Sequence, residues 1–424
     1  MKKALSVILA SSMVLSLAAC GGSEPAETTA AAPAETTAAA EDETEAAAEE
    51  TEAAEEGGAG VAKEDLKVGY IFIGDENEGY TAAHYKGAKE MQEALGLSDD
   101  QIIVKWTIPE DETAYDAAVD LADQGCQIIF ANSFGHEDYM KQAAEEFPEV
   151  EFCHATGYQA ASSGLANMHN FFTSVYESRY VSGVVAGMKL NEMMAADPNL
   201  VPKIGYVGAF PYAEVISGYT SFFLGVRSVC PEAEMEVTYT NSWASFDLEK
   251  EAAEALIADG CVLISQHADT TGAPTACEAA GVPCVGYNIS MIATAPNNAL
   301  TSASINWGPY YTFATKSVLD GTEIPADWCQ GYSEGADKIT ELNEATIAEG
   351  TADKVKEVEE AIKAGELHVF DTATWTVNGK KAEDDAELME KYKDYIFDGY
   401  FHESELASAP SFDIKIDGIT DKTN

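Results

Sequence analysis

At 424 residues and 46% hydrophobic composition, the chain holds enough apolar material for two cores, and its length suits two to three domains. Its formal net charge is −49, which argues against nucleic-acid binding, because phosphate contacts require clustered Lys and Arg. Beyond that, acidity of this degree speaks to solubility and not to function.

The elements follow in chain order. Lys2 and Lys3 precede an apolar run over residues 4–19, the charged-then-apolar layout of a secretory signal and too short for a mature spanning helix. The run ends in Leu17, Ala18, Ala19 and Cys20, then Gly21, and this resembles the lipobox of bacterial lipoproteins. That resemblance implies cleavage after residue 19 and lipidation of Cys20, anchoring the chain on the extracytoplasmic face of the cell membrane. Residues 20–62 then form a tether: twelve acids, no Lys, Arg or aromatic residue, and too little apolar surface to offset the entropy of ordering.

The folded part opens at Lys67, Val68, Gly69, Tyr70, and the same order returns as Lys203, Ile204, Gly205, Tyr206. A second pair of matching segments follows, ending in Gly125, Cys126 and Gly260, Cys261. The first match is offset by 203 − 67 = 136 residues and the second by 261 − 126 = 135, so the chain reads as two α/β lobes of common plan. Within the first, helices are expected over 80–95 and 113–123, with strands at 101–107, 127–131 and 150–155. A further strand near 165–169 leads to a crossing at 170–175 and a helix over 176–194. The second lobe repeats the alternation from 203 to 286, and a helix opened by Trp307, Gly308, Pro309 returns to the first. The domain reading is therefore lobe 1 over 63–170, completed by about 305–330, and lobe 2 over 171–304. Residues 331–424 read as a charged helix and a peripheral tail with a hairpin turn at Asn378, Gly379.

Such alternation implies parallel sheets with right-handed crossovers, whose ligands gather at the carboxyl ends of strands. Tyr80, Phe134, Tyr158 and Trp243 are aromatic residues at such ends, where core packing does not demand them. Ser133, Gln266, Asp269 and Asn288 are the polar groups placed to read an edge. Simpler roles compete: Tyr158 and Trp243 as rim plugs, Asp269 as a helix cap, Glu177 with Arg179 as a structural ion pair or hinge clamp. His136 with Glu137 and Asp138, and His267 with Asp269, lack the spacing of a metal site. No cofactor is expected. Seven cysteines follow Cys20, an odd number, with Cys277 and Cys284 as a candidate disulfide pair and Cys126 and Cys261 as small core residues.

The chain resembles the basic membrane protein (BMP) lipoproteins, also called the Med or PnrA-like family. The residues that carry this are Ser133-Phe134-Gly135, His154 to Tyr158, Tyr176 to Tyr180, Gln266 to Asp269, and Trp307 to Tyr311. The resemblance implies a type I periplasmic-binding-protein fold, two Rossmann-like lobes joined by a hinge. It also implies a monomeric solute-binding component of an ABC importer that takes a purine base or nucleoside and meets an ABC permease; members bind purine nucleosides, and this combination looks most like the branch that binds a purine base. Asp75 to Gly79 departs from the nucleoside-binding pattern of that family. Rival functions are a ligand-presenting sensor, a sugar-binding relative and a nucleoside hydrolase; no G-x-S-x-G elbow or P-loop supports the last, and an enzyme is not expected.

Overall fold

The structure, a computed structural model, describes residues 60–422. The expected signal over 1–19, Cys20 and the tether up to residue 59 lie outside the described residues. Lobe 1 is built on β1 (Val68–Ile71), α1 (Gly79–Leu95), β2 (Ile102–Lys105), α2 (Glu112–Asp123), β3 (Ile128–Ala131), α3 (Glu137–Glu146), β4 (Glu151–Ala155), the short α4 (Ala160–Ser163) and β5 (Met168–Thr173). β1, β3 and β5 are buried at every position, the continuous apolar pattern of strands covered on both faces. All pairings among these strands are parallel. Helix α1 begins where the Glu78 carboxylate accepts from the Tyr80 and Thr81 amides and stops at left-handed Gly96.

The chain leaves lobe 1 at Ser174 and enters α5 (Val175–Ala196). Twelve of its residues are buried, because it packs on the lobe 2 sheet and against α6 (Ala213–Val229). The helix pair approaches so closely that a Cβ on Gly183 would lie 2.0 Å from the Phe222 carbonyl, and one on Gly225 2.0 Å from that of Tyr180. Only glycine fits there, which explains the small-residue face of α5. Around this pair lie β6 (Lys203–Gly208), β7 (Glu234–Tyr239), α7 (Phe246–Ala258), β8 (Leu263–Gln266), α8 (Gly272–Ala280), β9 (Cys284–Tyr287) and β10 (Ala299–Ile305).

The return helix α9 (Gly308–Asp320) packs on α1 of lobe 1, and β11 (Asp327–Gln330) extends that sheet beside β5, giving the order β11-β5-β4-β3-β1-β2. The chain then crosses a third time to β12 (Asp337–Ile339), antiparallel to β10. Three strands of chain therefore connect the lobes, near 174, 306 and 331–336, the arrangement a hinge requires.

The C-terminal segment is not peripheral. Of the charged stretch 340–363 only α10 (Thr351–Lys363) is helical, with Val355, Val358 and Ile362 buried. Beyond it come α11 (Ala386–Lys391), the hairpin pair β13 (Ile396–Phe397) and β14 (Tyr400–Phe401), and β15 (Ile419–Asp421). Phe370, Trp375, Phe401, Phe412, Ile414 and Ile416 join the lobe 2 core. β15 adds a seventh strand to that sheet beside β7. Scattered apolar residues among many charges conceal this, because no single window of the tail has a strong period. The turn at Asn378 and Gly379 does form, with both residues at positive φ and Val377 bridging Lys380.

All seven described cysteines are free. Cys277 and Cys284 therefore do not form the expected disulfide, and both are buried, as are Cys126 and Cys261.

Candidate functional site

The carboxyl ends of both parallel sheets face one another, and a small cavity lies between them, lined by residues of both lobes. Lobe 1 contributes Ile73 after β1, Tyr80 from the first turn of α1, Asn132, Ser133 and Phe134 after β3, and Thr156 after β4. Lobe 2 contributes Glu214 from the first turn of α6, Trp243 after β7, His267 and Asp269 after β8, and Tyr287 at the end of β9.

The lobe 1 wall is held mostly by its own hydrogen bonds. The Tyr80 hydroxyl donates to the Asn132 carbonyl at 2.6 Å, and the Ser133 hydroxyl donates to Glu110 at 2.7 Å. Asn132 Oδ1 accepts from the Ile73 amide at 2.9 Å. Thr156 adopts a φ of 69° and its buried hydroxyl has no partner. A β-branched residue rarely adopts this conformation, and such strain concentrates at functional positions. Phe134 is 40% exposed and lines the cavity.

The lobe 2 wall is more polar. Asp269 Oδ1 accepts from Asn288 Nδ2 at 2.8 Å, and the Asp269 backbone carbonyl accepts from the Gly79 amide of lobe 1 at 3.1 Å. That second bond ties the lobes together in a closed arrangement. A Cβ on Gly79 would sit 2.9 Å from the same carbonyl oxygen, so the contact depends on glycine. His267 Nε2 is 3.3 Å from Glu214, while His267 Nδ1 and the Tyr287 hydroxyl are buried without partners. Behind them the buried Arg179 guanidinium lies 3.6 Å from the centroid of the Tyr287 ring and donates to the Gln266 carbonyl at 2.7 Å.

Burial raises the Asp269 carboxyl well above the usual range. The nearby charges of Glu78, Glu249 and Glu214 add to this, and the Asn288 hydrogen bond opposes it. His267 is held down to about 4, first by burial and then by Arg179, with Glu214 opposing. This wall therefore presents a carboxyl that is reluctant to ionise beside a neutral imidazole.

Of the eight residues expected from the sequence, Tyr80, Ser133, Phe134, Trp243 and Asp269 line the cavity. Asn288 stands behind Asp269 and fixes its carboxyl. Gln266 does not reach the cavity: its amide turns inward and donates to the Ala268 and Thr270 carbonyls, shaping the loop that carries Asp269. Tyr158 is 62% exposed and stays outside the lining, beside Phe134. Asp269 does not cap α8, whose N-cap is Thr271. The expected Glu177–Arg179 pair does not form, since Glu177 accepts from the Tyr332 amide at 2.7 Å while Arg179 turns to Gln266 and Tyr287. Glu137 accepts from the Tyr158 and Gln159 amides and holds that loop. Tyr287 stands at a strand end that the sequence assigns to the facing wall without singling it out. Ile73 and Glu214 escape the sequence reading, yet the internal repeat carries a signal for Glu214: it lies in the turn of α6 that corresponds to the Gly79–Tyr80 turn of α1.

Residues 67–371 match the family described as ABC transporter substrate-binding protein PnrA-like. A purine-binding protein of Brucella abortus (strain 2308) is 36% identical over 336 residues, 77% of this chain and 91% of that protein. A putative ABC transporter glucose-binding protein of Haloferax volcanii is 29% identical over 343 residues, 80% of this chain and 82% of that protein. Among solved structures, an ABC transporter solute-binding protein from Conexibacter woesei aligns with a TM-score of 0.59 at 22% identity, covering 72% of this chain and 98% of that one. One from Aeropyrum pernix K1 gives 0.61 at 16%, covering 78% and 96%. The chain belongs to the PnrA-like family of ABC transporter substrate-binding proteins and has their type I periplasmic-binding fold. Such proteins act outside the cytoplasm, and among the described residues no helix is long and apolar enough to cross a membrane.

Proposed function

We propose that this substrate-binding protein captures a purine base or nucleoside between its lobes and delivers it unchanged to an ABC permease, tethered to the membrane through a lipid on Cys20. The observation that carries the reading is that aromatic residues line the cavity from both walls, Tyr80 and Phe134 from one lobe and Trp243 and Tyr287 from the other, beside Asp269. A flat heteroaromatic ring offers a π face to each wall, worth about 1–3 kcal/mol per stacked aromatic in single-strand binders. A pyranose offers only C–H bonds to the same rings. Asp269, held toward its protonated form, can donate one hydrogen bond and accept another along a base edge.

The name of the Brucella relative supports this reading, and that of the Haloferax relative supports a sugar. Calorimetry and thermal shift with adenine, guanine, their nucleosides and glucose separate the two. Purines should raise the melting temperature and glucose should not; a glucose response without a purine response overturns the proposal. Incubation with adenosine or inosine should release no free base, and released base would reveal an enzyme. Native mass spectrometry of the protein as purified should detect a co-purifying purine. Mass spectrometry of the mature N-terminus should find a diacylated Cys20.

A further inference from the structure

Five aromatic rings run in series across the cavity mouth. Tyr158 and Phe134 have centroids 6.4 Å apart, Phe134 and Tyr212 5.8 Å, Tyr212 and Phe210 5.1 Å in a stack, and Phe210 and Trp243 5.1 Å. Phe134 and Trp243 line the cavity, whereas the other three lie outside its lining. Phe134 and Tyr212 remain 40% and 45% exposed, so core packing does not account for either ring.

The step from Phe134 to Tyr212 is the point where the series passes from lobe 1 to lobe 2. Tyr212 is the N-cap residue of α6, its carbonyl accepting from the Ile216 amide at 2.9 Å, two positions before the cavity residue Glu214. Its backbone is thereby fixed to the wall, while its half-exposed ring is held only by side-chain contacts, stacked on Phe210 and lying against Phe134 and Trp243. The other interlobe contact described above, Gly79 to Asp269, joins backbone to backbone at 3.1 Å and cannot yield without moving a helix terminus. The yielding part of the enclosure is thus the ring pair. A ligand larger than the cavity must part these two rings and lose their contact, and a ligand that fits lets them meet.

We infer that Tyr212 is a specificity-determining residue, a gate that closes against Phe134 over a single fused bicyclic ring and disfavours a pentose attached to it. The inference rests on the purine reading and narrows it from base or nucleoside to base. Calorimetric titration of the wild-type chain, Tyr212→Ala and Tyr212→Phe with adenine and with adenosine tests it. The wild type should bind adenine about tenfold or more tighter than adenosine, a discrimination typical of steric rejection. Tyr212→Ala should shrink that ratio to about threefold or less, mainly by improving adenosine, and Tyr212→Phe should retain it because the ring and not the hydroxyl makes the contact. Equal binding of both ligands by the wild type, or equal weakening of both by Tyr212→Ala, overturns the gate and leaves the purine reading standing. Failure of the wild type to bind either ligand would instead remove the purine reading, and the gate with it.

Discussion

The two walls of the cavity follow one chain plan and differ in how their polar atoms are spent. On lobe 1 the hydroxyls of Tyr80 and Ser133 and the side chain of Asn132 are committed to one another's loops or to Glu110. On lobe 2 the Tyr287 hydroxyl, His267 Nδ1 and Asn288 Oδ1 are buried without partners in a wall that also holds Glu214 and Asp269. Buried polar groups are ordinarily satisfied, and each one left open costs about 1–3 kcal/mol. A wall that tolerates several is arranged for a hydrogen-bonding partner that arrives with the ligand. Lobe 1 leaves the Thr156 hydroxyl open but otherwise supplies surface and closure, and lobe 2 supplies most of the recognition.

The division breaks most visibly at the backbone bond between Gly79 and Asp269 that joins the walls. Gly79→Val should prevent closure, since even a Cβ would lie 2.9 Å from the Asp269 carbonyl oxygen. If the closed population falls to about 1%, apparent affinity should drop about a hundredfold, with small-angle scattering showing an open shape in the presence of ligand. Wild-type affinity in this variant would mean that closure does not need the contact.

Next in size, Asp269→Ala should weaken binding by about 1–3 kcal/mol by calorimetry. Asp269→Asn should lose less, because an amide reproduces the neutral carboxyl that burial favours. An unchanged dissociation constant for Asp269→Ala would remove this residue from recognition.

The lobes should also part company with pH. His84, His136 and His154 of lobe 1 are all held below the usual histidine range, chiefly by burial, His136 at about 4. Their native state binds fewer protons than the unfolded chain between 6.5 and 4, so their stabilisation is intact above about 6.5 and is lost as pH falls through that window, at up to about 1.4 kcal/mol per unit for each group. Burial also raises Glu78 and Asp327 of lobe 1 against its three lowered histidines. Lobe 2, in contrast, has the single lowered His267, while burial lifts its Glu249 to about 6, its Glu403 to about 7 and its Asp269 well above the usual range. These carboxyls bind more protons in the native state, so acidification from 7 toward 4.5 favours folding there and offsets the histidine. Hydrogen exchange corrected for intrinsic rates should show lobe 1 losing protection before lobe 2 between pH 7 and 5; equal loss would deny the asymmetry.

The smallest effects should come from residues that sit at the mouth without offering a free group to the ligand. Ser133→Ala and Tyr158→Ala should each shift affinity by less than about threefold, since the Ser133 hydroxyl is committed to Glu110 and Tyr158 lies outside the lining. A tenfold loss in either would mean that the ligand draws these side chains inward.

Much of this site was legible because strand ends in a parallel sheet converge by geometry. Aromatic residues at 80, 134 and 243 and the carboxyl at 269 had no local reason to be there, and all four line the cavity. Gln266 and Tyr158 satisfied the same rule and failed for different reasons: one side chain turned back to the carbonyls of its own loop, the other stayed in solvent. Rotamer and neighbour decide such cases, and neither is encoded in spacing. The tail was misread because its apolar residues are few per window and find their partners only on lobe 2, across long sequence separation.

The amino-acid order alone determined that two similar α/β units exist, which segments of their repeated cores are strands and helices, and which loops share the carboxyl edge. Period, turn residues and internal repetition are local properties, so they survive without coordinates. Only the tertiary structure decided which polar atoms remain without partners, that Gly79 touches Asp269 across the cleft, and that Arg179 serves Tyr287 in place of Glu177. These depend on distances between residues far apart in the chain, and packing alone sets those distances.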